Sequence, residues 1–363
     1  MKLLSALFIY VLFNYPVNPL VENSFAPLAN DTMHFPGETH FSNIRQLTFG
    51  GDNAEAYLSK DGKYLVFQKT NEKEGIHCDQ IWMGKLPAGN ETFQPKLVST
   101  GTGRTTCAFF YPDGKHILYA STHLGSSDCP PIPDRSKYGN KYIWPLYESF
   151  DIFKADTSGK ITKRLTNNPG YDAEATISPR GDKMVFTSMR SGDPELFSMD
   201  LEGNHVTQLT NTLGYDGGAW YSPNGSKIIW RASRPGTDEE VKEYKELLAE
   251  NLVAPTHMEV WIANADGTNA RQVTNLEQAN WAPNFTPDGK HFIFCSNHEY
   301  KRGFPFNMYL ANLDGSNVQK ISRDKGFDAF PMFSRDGKTF IFSSNRNNGG
   351  TRDTNVFMAE WVD

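Results

Sequence analysis

Two sets of polar residues recur in this chain at fixed places relative to short apolar runs. One set follows a run: Lys69, His123, Arg190, Arg234, His298 and Arg346. The other precedes a run: Asp52 and Glu55, Arg104, Asp172 and Glu174, Asp216, Asn280 and Asp328. Histidines such as His123 and His298 can serve as general bases or ligands near neutral pH. With Arg234 to stabilise charge, they form a candidate catalytic set. Carboxylates converging from separate segments can hold a hard cation through oxygen, and Asp172, Glu174 and Asp216 are the candidates for calcium. The competing readings are a site for a basic group of a partner, or a polar channel filled with water. Arginines also pair with aspartates of neighbouring units to hold loops, the reading preferred here for Arg190 and Arg346. For either histidine alone, a satisfied structural role is the simpler one.

These residues are positioned by a repeat. Residues 161–203 contain four apolar runs bounded by Gly, Pro, Asn or Asp, the pattern of strands joined by tight turns. One turn recurs as Ser59-Lys-Asp-Gly, Tyr111-Pro-Asp-Gly, Ser178-Pro-Arg-Gly, Ser222-Pro-Asn-Gly, Thr286-Pro-Asp-Gly and Ser334-Arg-Asp-Gly. Pro presets φ, Asp or Asn bonds the local backbone, and Gly supplies positive φ. A lone four-stranded sheet has open edges and little core, so six copies must stack on one another, and radial stacking is the β-propeller solution. The fold expected is all-β, a six-bladed propeller of four-stranded antiparallel blades. The sixth unit lacks an outer strand, and residues 44–48 supply one from the amino-terminal side to close the ring.

Antiparallel order then sorts the connections. The turns above lie at one end, whereas insertions at 69–79, 122–149, 233–256, 297–305 and 345–354 crowd the other. Loops on a rigid scaffold are where binding and catalysis concentrate. The binding candidates at this end are Asp52, Glu55, Arg104, Asp172, Glu174, Arg190, Asp216, Asp328, Arg346 and Trp144 of the longest insertion. Thr237-Asp-Glu-Glu240 reads as a capping box opening an amphipathic helix with Val241, Tyr244, Leu247 and Leu248 on one face.

The registered turns, the Leu-Thr strand ends such as Leu165-Thr166 and the Asp-Gly turns such as Asp266-Gly267 resemble the WD40-like (PD40) repeats of TolB-type six-bladed propellers. The resemblance covers residues 44–361, without the TolB amino-terminal domain. It implies an exported propeller that docks envelope partners. The related propellers that precede prolyl-peptidase domains do not favour a peptidase, because the resemblance covers only the propeller and leaves no α/β-hydrolase domain to carry a nucleophile.

Composition narrows the partners. The net charge of −6 with no basic cluster argues against nucleic acid. Residues 1–24 read as a signal peptide, one Lys followed by an apolar run too short to span a bilayer, so a periplasmic or secreted location follows. Residues 25–43 form an amino-terminal segment and residues 44–363 one propeller, expected to be a monomer with no transmembrane span. Four cysteines, Cys78, Cys107, Cys129 and Cys295, leave room for one or two disulfides, with either Cys78 or Cys107 as partner of Cys129. The sequence contains no Gly-x-Ser-x-Gly, His-Glu-x-x-His, phosphate loop or Cys-x-x-Cys motif. Apart from calcium no cofactor is expected. Two functions remain: a binding propeller for a protein, peptide or glycan, or a carbohydrate-active lyase or hydrolase using His123, His298 and Arg234.

Overall fold

Every blade starts with an inner strand: Asp52–Leu58, Thr105–Phe110, Asp172–Ile177, Asp216–Tyr221, Asn280–Phe285 and Asp328–Phe333. The computed structural model describes residues 33–300 and 303–362; the signal-peptide reading therefore lies outside the described residues. Six four-stranded antiparallel sheets are arranged in sequence order, with a small two-stranded sheet added between insertions. The second strand of each blade is sandwiched on both faces, so it is buried almost throughout, as in Lys183–Ser188, with an apolar stretch at its centre. At one register this strand always carries an aromatic facing an aromatic on the third strand: Phe67 and Trp82, Tyr119 and Phe153, Phe186 and Phe197, Trp230 and Trp261, Phe294 and Tyr309, Phe342 and Phe357. Each such pair contributes about 0.2–1 kcal/mol beyond small side chains. All six second-strand rings are essentially buried.

The ring closes as expected: Phe41–Gln46 pairs with Asn355–Trp361 as the outer strand of the last blade. It begins three residues before the expected position 44. Upstream of it, buried Glu38 accepts hydrogen bonds from Arg346 at 3.1 and 3.3 Å, so part of the amino-terminal segment is docked on the last blade. No helix among the described residues is long and apolar enough to cross a membrane.

One insertion is smaller than its sequence suggests. Residues 69–79 are largely strand, Tyr64–Asn71 running through a single turn into Ile76–Lys85. The two long insertions are joined to each other. Trp144–Pro145 of the first pairs with Leu252–Val253 of the second, and the Tyr138 hydroxyl donates to Glu250 at 2.6 Å. The helix Asp238–Leu248 carries the capping box and buries Tyr244 and Leu247; Val241 and Leu248 of the expected stripe are only half-buried. A Cys78–Cys129 disulfide ties the first insertion to blade 1, leaving Cys107 and Cys295 as thiols. Its sequence separation of 51 corresponds to about 4 kcal/mol of chain entropy removed from the unfolded state.

Candidate functional site

Each inner strand is interrupted by a register shift near its start. The residue in the shift has left-handed φ in every blade: Glu55 (50°), Cys107 (52°), Glu174 (59°), Gly218 (63°), Ala282 (47°) and Phe330 (55°). A bulge of this kind turns an extra residue out of the ladder, here one per blade around the axis. Five of the six are not glycine, and each costs about 1–3 kcal/mol of backbone strain that the surrounding sheet must hold. The six shifts deliver side chains of unlike chemistry to the axis, with the acids on blades 1 and 3 and the phenylalanine on blade 6.

The polar side of this ring is a connected network. The Cys107 thiol donates to Glu55 Oε2 at 2.9 Å, and Gln68 Oε1 accepts from Thr106 at 3.1 Å beside it. Glu174 Oε2 accepts from Tyr215 at 2.7 Å, from Thr187 at 2.8 Å and from the Gly218 amide at 2.8 Å. Its other oxygen is paired with Arg231, which also donates to the Tyr215 hydroxyl at 3.0 Å. Blade 4 makes room for this with two glycines. A Cβ on Gly217 would lie 2.4 Å from Glu174 Oε2, and one on Gly218 would lie 2.0 Å from Arg231 Nη1.

Electrostatics divide the two acids. Glu174 has an arginine and three neutral donors, whereas Glu55 has one thiol. Burial raises the Glu55 carboxyl to about 7, the Cys107 hydrogen bond opposes this and the nearby charge of Glu174 adds to it. The Cys107 thiol is pushed well above its ordinary value by burial and then by Glu55, so it is a hydrogen-bond donor and not a ready nucleophile. Burial works against the charge of Arg231, but Glu174 and the neighbouring groups outweigh it and hold the guanidinium protonated.

Below this network a second ring closes the channel. Tyr57, Phe109, Thr176, Trp220, Asn284 and Met332 occupy one register, one per blade. Tyr57 and Trp220, from opposite blades, meet edge to face at 4.7 Å between centroids. Above it, Trp144 of the joined insertions lies with its ring 5.1 Å from the Arg231 guanidinium. From Trp144 a row of aromatics crosses blades 5 and 6: Trp281 at 5.3 Å, then Phe306 at 4.6 Å, Phe327 at 5.7 Å and Phe330 at 6.1 Å. The axis at this end thus has an aromatic side and a side of titratable and hydrogen-bonding groups, the combination that recognises an amphipathic ligand group.

Of the residues expected at this site, the structure gathers Glu55, Glu174 and Trp144. The others are used differently. Asp172 pairs with Arg190 at 3.0 Å, Asp216 with Arg234 at 2.7 Å and Asp328 with Arg346 at 3.0 Å. These pairs lie within single blades, joining the start of the first strand to the end of the second, and do not bridge neighbouring blades as expected. All three aspartates are fully buried. In blade 1 the equivalent buried residue is Asn53, one place after Asp52, and in blade 2 it is Thr105, one place after Arg104. Asp52 is exposed at the seam with blade 6, and Arg104 pairs with Asp79.

His123 and His298 sit at the position the arginines occupy elsewhere. Each bonds the serine two residues before it, Ser121 at 2.9 Å and Ser296 at 3.0 Å, and packs on the third-strand aromatic, Phe153 at 4.6 Å and Tyr309 at 4.5 Å. Lys69, Arg190 and Arg234 stack in the same way on Trp82, Phe197 and Trp261. Burial holds both histidines below their ordinary value. They belong to blades 2 and 5, on opposite sides of the ring, so they form no common centre with Arg234. The calcium ligands are likewise separated, since Asp172, Glu174 and Asp216 are each engaged by a different arginine. Among the described residues no group of three or more His, Cys, Asp or Glu is placed to hold a metal ion.

Arg231, Tyr215, Gln68 and Cys107 were missed as site residues. A signal for Arg231 exists: in Lys227–Ala232 it interrupts an apolar second strand where the other blades carry Gln68, Ala120, Thr187, Cys295 and Ser343. The bulges leave no such signal, because each inserts one residue into a strand of six or seven residues that has too few positions on either side of the shift to show its alternation reversing.

A sequence profile described as the TolB beta propeller domain matches residues 145–251 and 252–353, more than half of the chain. The chain belongs to this family. Among solved structures, this TolB-type propeller is similar to one described as TolB from Agrobacterium tumefaciens, at 19% identity and a TM-score of 0.56, over 86% of this chain and 91% of that one. It is also similar to TolB from Acinetobacter baumannii, at 18% identity and a TM-score of 0.55, over 83% and 64%. A third similar structure, the tricorn protease, is 16% identical with a TM-score of 0.51, over 81% of this chain and 24% of that one. At these identities the likeness concerns the fold.

Proposed function

We propose that this TolB-type propeller is an exported binding protein that receives a protein, peptide or glycan partner on its loop-bearing end. The observation that carries the reading is the union of the two long insertions into one shelf, held by the disulfide, a two-stranded sheet and a capped helix. A preformed surface loses little entropy on binding. Connections at this end also carry exposed apolar side chains, Leu124 (57%), Ile132 (75%) and Phe304 (65%), which suit the centre of an interface. The amino-terminal signal and the family's TolB members support a periplasmic or secreted setting.

The test is affinity capture from an envelope extract with the parent protein and an I132D/F304D variant, followed by calorimetric titration of the captured partner. The expected result is a partner whose dissociation constant rises about tenfold or more in the variant. A partner that binds both proteins equally refutes a loop-end site.

A second reading is favoured by one observation, the Glu55 carboxyl near 7 beside the positively charged Arg231. In a carbohydrate-active enzyme Glu55 would be the acid or base and Arg231 the charge stabiliser. Turnover of an oligosaccharide that disappears in E55Q while partner binding persists would favour catalysis. Absence of turnover in the parent protein across a panel of acidic and neutral oligosaccharides returns the reading to binding alone.

A further inference from the structure

The other end of the ring breaks its own repeat. The second position of the six inner turns is Pro112, Pro179, Pro223 and Pro287 in blades 2 to 5, but Lys60 in blade 1 and Arg335 in blade 6. The turns themselves are alike: the Gly62 and Gly337 amides bond to Ser59 and Ser334 at 2.8 and 2.9 Å, as the Gly181 amide bonds to Ser178 at 2.8 Å. The turn geometry therefore does not call for the change. Blades 1 and 6 adjoin at the closure seam, so the two cations fall on the same side of the mouth.

That mouth is a funnel of about 410 Å³. Its walls are the four prolines with Phe110, Ile177 and Phe285, and its floor is formed by Phe109, Trp220 and Met332, with Asn284 beside them. Lys60 and Arg335 are the charged side chains of its lining, in a protein whose net charge is −6. Neither makes an ion pair or a side-chain hydrogen bond among the described residues. The acid beside each cation in its own turn is already engaged, Asp61 by the Ser59 hydroxyl at 2.6 Å and Lys63 at 3.5 Å, and Asp336 by the Ser334 hydroxyl at 2.6 Å and the Lys338 amide at 3.1 Å.

We propose that this funnel binds a small amphipathic anion, its flat or aliphatic body on the prolines and the Trp220 floor and its carboxylate or sulfonate against Lys60 and Arg335. The volume lies within the range of about 300–1,000 Å³ typical of small-molecule sites, and charge-assisted contacts at one side fix the orientation. The site lies at the end of the ring opposite the shelf and is independent of the loop-end reading.

A matched pair of dyes tests it: 1-anilinonaphthalene-8-sulfonate, and N-phenyl-1-naphthylamine, which has the same body without the sulfonate. The parent protein is expected to bind the anion about tenfold more tightly than the neutral dye, a difference of about 1.4 kcal/mol. K60P/R335P restores the proline of the other blades at positions whose amides make no hydrogen bond, and it is expected to abolish the preference while keeping the neutral dye. K60S/R335S serves the same purpose if the prolines disturb folding. Equal affinity of the parent protein for both dyes, or a preference that survives in the double variants, overturns the proposal.

Discussion

The Glu55 carboxyl makes the buried network titrate in the middle of the physiological range, and its replacement by glutamine should expose this as a stability difference. In the folded protein Glu55 titrates near 7, whereas an unperturbed glutamate has the ordinary value of 4.5. A raised carboxyl means that the folded chain holds a proton which the unfolded chain releases. Its contribution is therefore fully present below about pH 4.5, falls as pH rises and is gone above about pH 7. The shift of roughly 2.5 units corresponds to about 3 kcal/mol at 1.36 kcal/mol per unit. E55Q keeps the shape of the neutral acid and an oxygen for the Cys107 thiol. It removes the titration, while Glu174, Asp79, Arg231 and Cys107, the charged and titratable groups acting on Glu55, remain common to both proteins. Urea unfolding followed by tryptophan fluorescence between about pH 5 and pH 8 should thus show the parent protein losing about 2.5 kcal/mol relative to E55Q. Parallel curves for the two proteins over that range would show that Glu55 is not held protonated by burial and would refute the division of roles between Glu55 and Glu174.

Gly218→Ala should combine a left-handed φ with a methyl driven into Arg231, destabilising the fold by about 2–4 kcal/mol and breaking the Glu174 pair; thermal melting reads the loss, and a melt unchanged within error would contradict the close packing. C78S/C129S should lower stability by about 2–4 kcal/mol and open residues 122–149 to limited proteolysis; an uncleaved, equally stable variant would mean that the two-stranded sheet and helix hold the shelf unaided. Deleting residues up to 47 removes the strand Phe41–Gln46 and leaves Asn355–Trp361 as an open edge, so light scattering should show concentration-dependent association. A monodisperse deletion variant would place closure elsewhere.

The architecture was legible because its signals are chemical and repeated. Six Gly-containing turns at one register specify hairpins whatever lies between them, and the missing outer strand of the last blade implied the closure by Phe41–Gln46. The site was legible only in part. Glu55, Glu174 and Trp144 were found because acids before a strand and an aromatic in a long insertion are visible as residue types. Asp172, Asp216 and Asp328 have the same appearance, yet they are buried against arginines of their own blades. The sequence offers no way to separate the two groups, because the bulge that turns Glu174 to the axis and leaves Asp172 in the sheet is a backbone event two residues long.

The same comparison gives the structural role of the histidines its physical reason. A repeat protein can fill one structural position with any side chain that meets its demands, here a hydrogen bond to a serine at the strand end and a stack on the third-strand aromatic. His123 and His298 meet them as Arg190 does, so their rarity was no measure of chemical purpose. A departure from the repeat becomes informative when the position does not require the new chemistry. Arg231 departs in this sense, since the blades that carry Gln68, Ala120, Thr187, Cys295 or Ser343 at its register close equally well. Lys60 and Arg335 depart likewise, since four prolines make the same turn without charge. The arginine in the network and the two cations at the funnel are thus the places where this propeller carries chemistry that its fold does not need.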